Sequence, residues 1–315
     1  MVNTGFIGLG NMGKPMAEQI LKAGFDLTVL DTNPEALSSF RGAARIASSP
    51  REVADHAEVV FACLPSPRVS LDVAFGSAGI AKGKAVRVYV ETSTLGTETV
   101  NELARGLDER GIALLDGPIS GGPPAARTGT LSAVVSGPPQ AFAQAEPMIR
   151  AFAKSIFRVG DRVGQAQIAK LINNLISSVG RVAAFEGAVM GEKAGLDLKT
   201  LIDFINVSTG RNSTTLDKFP AAVLPRTYKY GGNLSTGLKD AELIVKEAAK
   251  LGAPLFVMPK VLELFSEAAK AGYKDRESLR LIEYVEKLAG IEPPSDRKSS
   301  SIEAATSAAK GRPSE

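Results

Sequence analysis

One short run near the amino terminus constrains the fold of this chain more than any other feature. The apolar residues Gly5-Phe6-Ile7 open directly into Gly8-Leu9-Gly10-Asn11-Met12-Gly13. A helix-like stretch from Pro15 to Ala23 follows, and then a second apolar run, Leu27 to Leu30, that ends at Asp31. Strand, glycine-rich turn, helix, strand and acid in this order are the setting a dinucleotide fingerprint requires. Gly8 permits the tight turn, Gly10 lets backbone approach a pyrophosphate, and Gly13 lets the helix pack close to the strand. Leu9, Asn11 and Met12 complete the turn, and the free N–H groups and positive dipole end of the new helix suit phosphate. Asp31 lies 18 residues past Gly13, where it can accept hydrogen bonds from an adenosine ribose. A carboxylate there repels a 2′-phosphate, and Thr32, Asn33 and Pro34 supply no arginine to grip one. NAD is therefore expected over NADP. The plainer alternative is that Asp31 caps a helix beginning near Pro34.

Composition narrows the class. The length of 315 residues suits two domains, and a hydrophobic fraction of 44% is ample for their cores. The net charge of +3 comes without a long basic run, so neither nucleic acid nor a membrane surface is expected as a partner. No apolar stretch approaches the roughly 18 residues a membrane span needs. The early first strand leaves no room for a signal peptide, which together with the lone cysteine makes a cytoplasmic protein the expectation. That cysteine, Cys63, rules out an intrachain disulfide and a cysteine-cluster metal site, and no metal is expected. The one histidine, His56, sits in a polar connection and reads as a solvated loop residue. If the protein moves hydrides, another group must handle the proton.

Strand candidates alternate with helices up to about Val159: Val59–Cys63, Arg87–Glu91, Ile112–Asp116, Leu131–Ser136 and Ser155–Val159, with helices over Glu98–Glu109 and Gln140–Phe152. The alternation indicates a doubly wound, mostly parallel sheet, with loops after the strands lining the ligand crevice. After Gly160 strand signals vanish. A long helix is expected from Gln165 to about Ala194, followed by helices over Asp197–Asn206, Leu238–Leu251, Leu255–Ala271 and Asp275–Ala289. The expected organisation is an α/β Rossmann domain over residues 1–162, an all-helical domain over 163–292 joined by the long helix, and a disordered Ser- and Ala-rich tail over 293–315.

Two clusters carry possible chemistry. Lys170 and Asn174 are four apart, hence on one helix face, with Asn173 adjacent and apolar residues on both sides. A lysine embedded there is partly desolvated, which lowers its pKa towards an acid/base range. The alternative is a lysine snorkelling from a half-buried helix. The second cluster, Ser120-Gly121-Gly122, follows a strand, and its glycines can expose successive N–H groups that form an anion-binding concavity, for example for a carboxylate. A flexible turn reads equally well.

Four blocks resemble those of the β-hydroxyacid dehydrogenase family, over about Gly5 to Ala289. They are Phe6 through Met16; Asp116 through Gly122 with Gly129-Thr130-Leu131-Ser132 behind it; Gly164 through Lys170 to Asn174; and Leu238-Lys239-Asp240. The resemblance implies Lys170 as catalytic acid/base, Asn174 as an aid in holding substrate, and Ser120, Gly121 and Gly122 as binders of its carboxylate. It also implies that Leu64 and Pro65 lie along the cofactor, that Ser93 and Thr94 sit near the nicotinamide ribose, and that Lys239 reaches the cofactor from the helical domain. The chain departs from the family at Ala166, where glycine is usual; a small shift in the helix start is expected. Arg211 and Asn212 are offered as readers of the far end of a substrate.

The resulting expectation is an NAD-dependent dehydrogenase of small, carboxylate-bearing 3-hydroxy acids. Rivals are a reductase of aldehyde acids such as glyoxylate or succinic semialdehyde, and a non-enzymatic dinucleotide sensor. An imine reductase fits less well, because the resemblance there loses the catalytic lysine. The apolar positions Leu171, Leu175, Val179, Val182 and Phe185 of the long helix lead to the expectation of a homodimer or homotetramer.

Overall fold

A computed structural model describes residues 2–292; the tail expected to be disordered lies outside the described residues. The strands are β1 (Thr4–Ile7), β2 (Leu27–Leu30), β3 (Arg45–Ile46), β4 (Val59–Ala62), β5 (Val88–Glu91), β6 (Ala113–Asp116), β7 (Ile119–Ser120), β8 (Leu131–Ser136) and β9 (Ala153–Gly160). They form one sheet in the order β3-β2-β1-β4-β5-β6-β8-β7, with β9 paired to β8. The run from β3 to β6 is parallel throughout, whereas β8 lies antiparallel to β6 and β7. Strand order reverses at β1, whose neighbours are β2 and β4. The crevice at such a reversal is where open α/β sheets bind ligands. This is the Rossmann-type α/β fold, followed by a helical C-terminal region.

The central strands β1, β4 and β5 are buried on both faces, as βαβ crossovers demand. On one face Phe6, Phe61 and Phe152 meet in the core. Phe6 and Phe61 stack at 6.1 Å, and Phe152 meets Phe61 edge-on at 5.8 Å. On the other face Tyr89, Leu95, Val100 and Leu103 pack against Ile7 and Val60.

Several elements escape the sequence reading. His56 is not in a loop: it is the exposed last residue of a helix, Pro50–His56. A second short helix, Pro67–Phe75, follows the Leu64-Pro65-Ser66 turn. Both start alike, with a serine whose hydroxyl accepts from the backbone three residues on and a proline at the first helical position. Their lengths of 7 and 9 residues are too short for a clear apolar period. The two-residue strands β3 and β7 give no alternation to read.

Packing divides the described residues into two compact units: residues 2–175 with 240–255, and residues 176–239 with 256–292. The change of element type falls near residue 163, but the first turns of the Gln165–Lys193 helix pack with the sheet. The segment 240–255 is fastened to the sheet unit through the start of the Thr97–Asp108 helix. There the buried Glu247 accepts from Thr97 N at 3.0 Å and from Thr97 Oγ1 at 2.7 Å, and Lys246 pairs with Glu98 at 2.7 Å.

The second unit is helical, with its own core. Phe185 and Phe219 are fully buried edge to face at 5.9 Å, and Arg226 pairs with the buried Glu286 at 2.6 Å. Asn212, offered as a substrate reader, serves its own chain: Oδ1 accepts from Thr214 N at 2.8 Å and Nδ2 donates to Gly180 O at 3.3 Å. Arg211 beside it is exposed. Of the five apolar positions behind the oligomer expectation, Leu171, Val182 and Phe185 are buried within the chain. The large apolar side chains this helix leaves exposed are Ile172, Ile176 and Met190.

Candidate active site

The glycine loop leaves β1 as its spacing predicts. Gly8 has φ +90°, and a Cβ there would lie 2.3 Å from the Cys63 carbonyl oxygen. Gly13 opens the helix Gly13–Lys22, and a Cβ on it would lie 1.8 Å from Gly8 O. No side chain can stand at either place. Gly10 differs: it is exposed, and no protein atom lies within 4 Å of where its Cβ would be. The loop is thus closed on its protein side and open on its outer side, which fits a dinucleotide pyrophosphate approaching Gly10. Asn11 is exposed and Met12 half-buried beside it, and Leu9 is buried.

Asp31 follows β2 and is half-buried. Its Oδ2 accepts from Leu9 N at 2.5 Å and its Oδ1 from Asn33 N at 2.7 Å. The helix cap next to it is Asn33, which accepts from Glu35 N at 3.0 Å. Asp31 therefore ties the end of β2 to the glycine loop and is not the cap of the helix that begins at Pro34.

The helix that carries Lys170 begins against the ends of β5 and β6. Asp116, fully buried at the end of β6, accepts on Oδ2 from Gly164 N at 3.1 Å and Gln167 N at 3.0 Å, and on Oδ1 from Gln167 Nε2 at 2.7 Å. Ser136 Oγ donates to Asp116 Oδ2 at 3.3 Å and accepts from Ala166 N at 3.0 Å. The orphan N–H groups of the helix start are satisfied by side chains from two strands. Burial pushes the Asp116 carboxyl up to about 6, against the pull of these donors.

Gln167 spreads the same network to the loop after β5. Its Oε1 accepts from Leu95 N at 2.9 Å and Gly96 N at 3.0 Å, and its Nε2 also donates to Ser93 O at 3.1 Å. Ser93 in turn accepts on Oγ from Leu64 N at 2.7 Å. The Ser93-Thr94 and Leu64-Pro65 segments are thereby joined to the start of the Lys170 helix. Ser93 is buried, Thr94 and Leu64 are half-buried and Pro65 is exposed.

Lys170 stands one turn past Gln167 and is half-buried. Asn173 Nδ2 donates to Ser120 Oγ at 3.4 Å, so this turn of the helix meets the serine-glycine segment. Ser120 is the last residue of β7, and Gly121 and Gly122, with φ +130° and +71°, turn the chain into the helix Gly122–Thr128. The segment is a defined strand-to-helix turn. Asn174 Nδ2 donates to Asp240 Oδ2 at 2.8 Å, and its Oδ1 accepts from Asn173 Nδ2 at 3.2 Å. Lys239 lies beside Asp240 on the helix Leu234–Leu251 and is half-buried.

Four residues to which the sequence reading gave no role emerge here: Asp116, Ser136, Gln167 and Asp240. Asp116, Gln167 and Asp240 lie inside the resembling blocks. A buried acid at a strand end, followed far along the chain by a glutamine in the first turn of a helix, carries no local signature. Among the described residues no helix is long and apolar enough to cross a membrane.

Comparison with known proteins agrees with this architecture. Residues 3–160 match the family model described as the NAD binding domain of 6-phosphogluconate dehydrogenase. Residues 164–285 match that described as NAD-binding of NADP-dependent 3-hydroxyisobutyrate dehydrogenase. The mitochondrial 3-hydroxyisobutyrate dehydrogenase of Rattus norvegicus is 32% identical over 289 residues, covering 89% of this chain and 86% of that one. The L-threonate dehydrogenase of Cupriavidus necator is 30% identical over 294 residues, covering 93% and 98%. Among solved structures, Psf3 in complex with NADP+ and 2-OPP superposes with a TM-score of 0.81 at 25% identity, covering 90% of this chain and 99% of that one. With its glycine loop, its Lys170 helix and matches across nearly all of the described chain, the protein belongs to the β-hydroxyacid dehydrogenase family, the family of 3-hydroxyisobutyrate dehydrogenase.

Proposed function

We propose that this protein is a dehydrogenase that oxidises, or in reverse forms, small 3-hydroxy acids at C3, with NAD as the preferred dinucleotide. The observation that carries the reading is the anchoring of the Lys170 helix. Asp116 and Gln167 fix its first turn against the ends of β5 and β6, and Asn173 sets the next turn 3.4 Å from Ser120. A group that must sit within hydrogen-bond reach of a reacting hydroxyl needs such a rigid mount.

The nicotinamide supplies the hydride acceptor when bound. The chain's own residues do the rest. Gly8 through Gly13 and Asp31 hold the dinucleotide, with Leu64, Pro65, Ser93, Thr94 and Lys239 as further contacts. Ser120, Gly121 and Gly122 bind the substrate carboxylate. Lys170 takes the hydroxyl proton in oxidation and returns it in reduction. Asn174, oriented by Asp240, steadies the substrate beside it.

Two related readings have support. The Asp31 carboxylate favours a free 2′-hydroxyl, whereas the structural neighbour Psf3 is in complex with NADP+, so both dinucleotides belong in the assay. The same geometry serves a reductase of aldehyde acids, since the proton relay runs either way. We further propose a homodimer or homotetramer, supported by the exposed Ile176 and Met190 with the exposed Ala183 and Gly187 between them on the long helix. The function is tested by assaying 3-hydroxyisobutyrate, threonate, glycerate and the aldehyde acids with NAD and NADP, following the absorbance of reduced nicotinamide. Turnover of a 3-hydroxy acid with preference for NAD supports the reading, and dinucleotide binding without turnover of any of them overturns it.

A further inference from the structure

We propose that Glu91 is a positioning residue for the dinucleotide side of the site: its buried carboxyl holds the Ser93 turn, and through Ser93 both the Leu64-Pro65 segment and the start of the Lys170 helix. What those segments hold rests on the functional reading above, but the tether itself does not. Glu91 ends β5 and has no exposed surface. Its Oε1 accepts from Ser93 N at 3.0 Å. Ser93 then branches, accepting on Oγ from Leu64 N at 2.7 Å and on its carbonyl from Gln167 Nε2 at 3.1 Å. One buried carboxyl thus stands behind a residue that joins the loops after β4 and β5 to the catalytic helix.

The surroundings of Glu91 decide its protonation. On the neighbouring strand Asp116 is its register partner. Tyr89 faces it from its own strand and Ser70 from the helix Pro67–Phe75. None of these is a cation. Glu91 Oε2, Tyr89 OH and Ser70 Oγ are all buried without a formed hydrogen bond. A neutral carboxyl has one O–H to give to an oxygen of Ser70 or Tyr89, and a carboxylate could only accept from their hydroxyls, with burial and the neighbouring Asp116 carboxyl set against its charge. Asp116 is the better solvated of the two, with four donor groups converging on it. Of two buried acids side by side, the one with converging donors keeps the charge and the other keeps the proton. Burial accordingly pushes Glu91 up to about 7. Glutamine at this place reproduces the neutral acid, with one acceptor for Ser93 N and one donor for Ser70 or Tyr89.

The test compares Glu91→Gln, Glu91→Asp and Glu91→Ala by the binding of NADH and NADPH, read by nicotinamide fluorescence between pH 6 and 8, and by urea unfolding over the same range. The Gln variant should bind within about twofold of wild type at pH 6. The Ala and Asp variants, which respectively delete and shorten the tether, should bind about tenfold more weakly. If the Ala variant does not fold, the Asp variant decides. A carboxyl raised in the folded state binds its proton more tightly there than when unfolded, so its contribution to stability falls as pH rises through the folded value. Wild type should therefore lose more stability and dinucleotide affinity between pH 6 and 7.5 than the Gln variant, in which Asp116 still titrates. A Gln variant as weak as Ala, an Asp variant equal to wild type, or an unchanged pH profile in the Gln variant would each overturn the proposal. If wild type binds neither dinucleotide, the functional reading fails, and the unfolding profiles alone decide the tether.

Discussion

At the end of β1 the chain makes room by leaving side chains out, and at the ends of β5 and β6 it fills the same kind of space with buried polar ones. Gly13 lets the helix start close against Gly8 O, and Gly8 lets the Cys63 carbonyl approach from the end of β4. Glu91, Ser93, Asp116, Ser136 and Gln167 bring together segments up to 74 residues apart through hydrogen bonds. The first device is steric and tolerates no Cβ. The second is electrostatic, and each member is held only while its partners remain. The contrast teaches that two neighbouring stretches of one sheet edge can be equally exacting for unrelated physical reasons.

Gly13→Val should break the first device outright. Its Cβ would lie 1.8 Å from Gly8 O, so a cost of at least about 3 kcal/mol is expected, with dinucleotide binding lost. Gly10→Ala sharpens the point, since nothing lies within 4 Å of the added methyl; stability should hold within about 0.5 kcal/mol while dinucleotide affinity drops. Urea unfolding and fluorescence titration of the pair decide it, and equal effects on stability would contradict the steric account.

Asp116→Asn attacks the second device. Asparagine keeps the shape but offers one acceptor oxygen where the carboxylate offers two, and turns an N–H₂ towards donors. The expected cost is about 2–4 kcal/mol, with slower turnover as the start of the Lys170 helix loosens. Unfolding within about 0.5 kcal/mol of wild type would show that the network is dispensable.

Asp31→Ala belongs to the first region but acts through charge. It removes the acceptor of Leu9 N and Asn33 N and the negative charge that the proposed function sets against a 2′-phosphate. NAD should bind about tenfold more weakly and its advantage over NADP should narrow, as dissociation constants for both would report. A wild type that already prefers NADP would refute this reading of Asp31. The smallest effect should be that of His56→Ala, within about 0.5 kcal/mol in stability and silent in activity, because the side chain is exposed at a helix end.

The asymmetry between the two regions also explains what could be read from the sequence. Gly8, Gly10, Gly13 and Asp31 are legible because they all lie in one strand-turn-helix-strand unit, which leaves a fixed spacing. The strands β1, β2, β4, β5, β6 and β8 were legible as apolar runs, and the Gln165–Lys193 helix by its length. The helices at Pro50 and Pro67 escape that reading: their Ser-Pro starts are a helix signal, but they are too short for an apolar period to support it. The turn at Ser120 was seen as a glycine pair, yet its conversion into strand and helix depends on pairing with β8. The Asp116–Gln167 bond was out of reach, because its 51-residue separation is fixed by where β6 lies in the sheet.

The central claim is that Lys170 carries the proton of a hydroxyacid oxidation. It is tested most directly by steady-state kinetics of Lys170→Ala on a 3-hydroxy acid that the wild type turns over, with dinucleotide affinity measured on the same preparation. The account predicts a fall in kcat of ~10²–10⁴ with dinucleotide affinity within about twofold of wild type. A variant that keeps most of the wild-type kcat would contradict it.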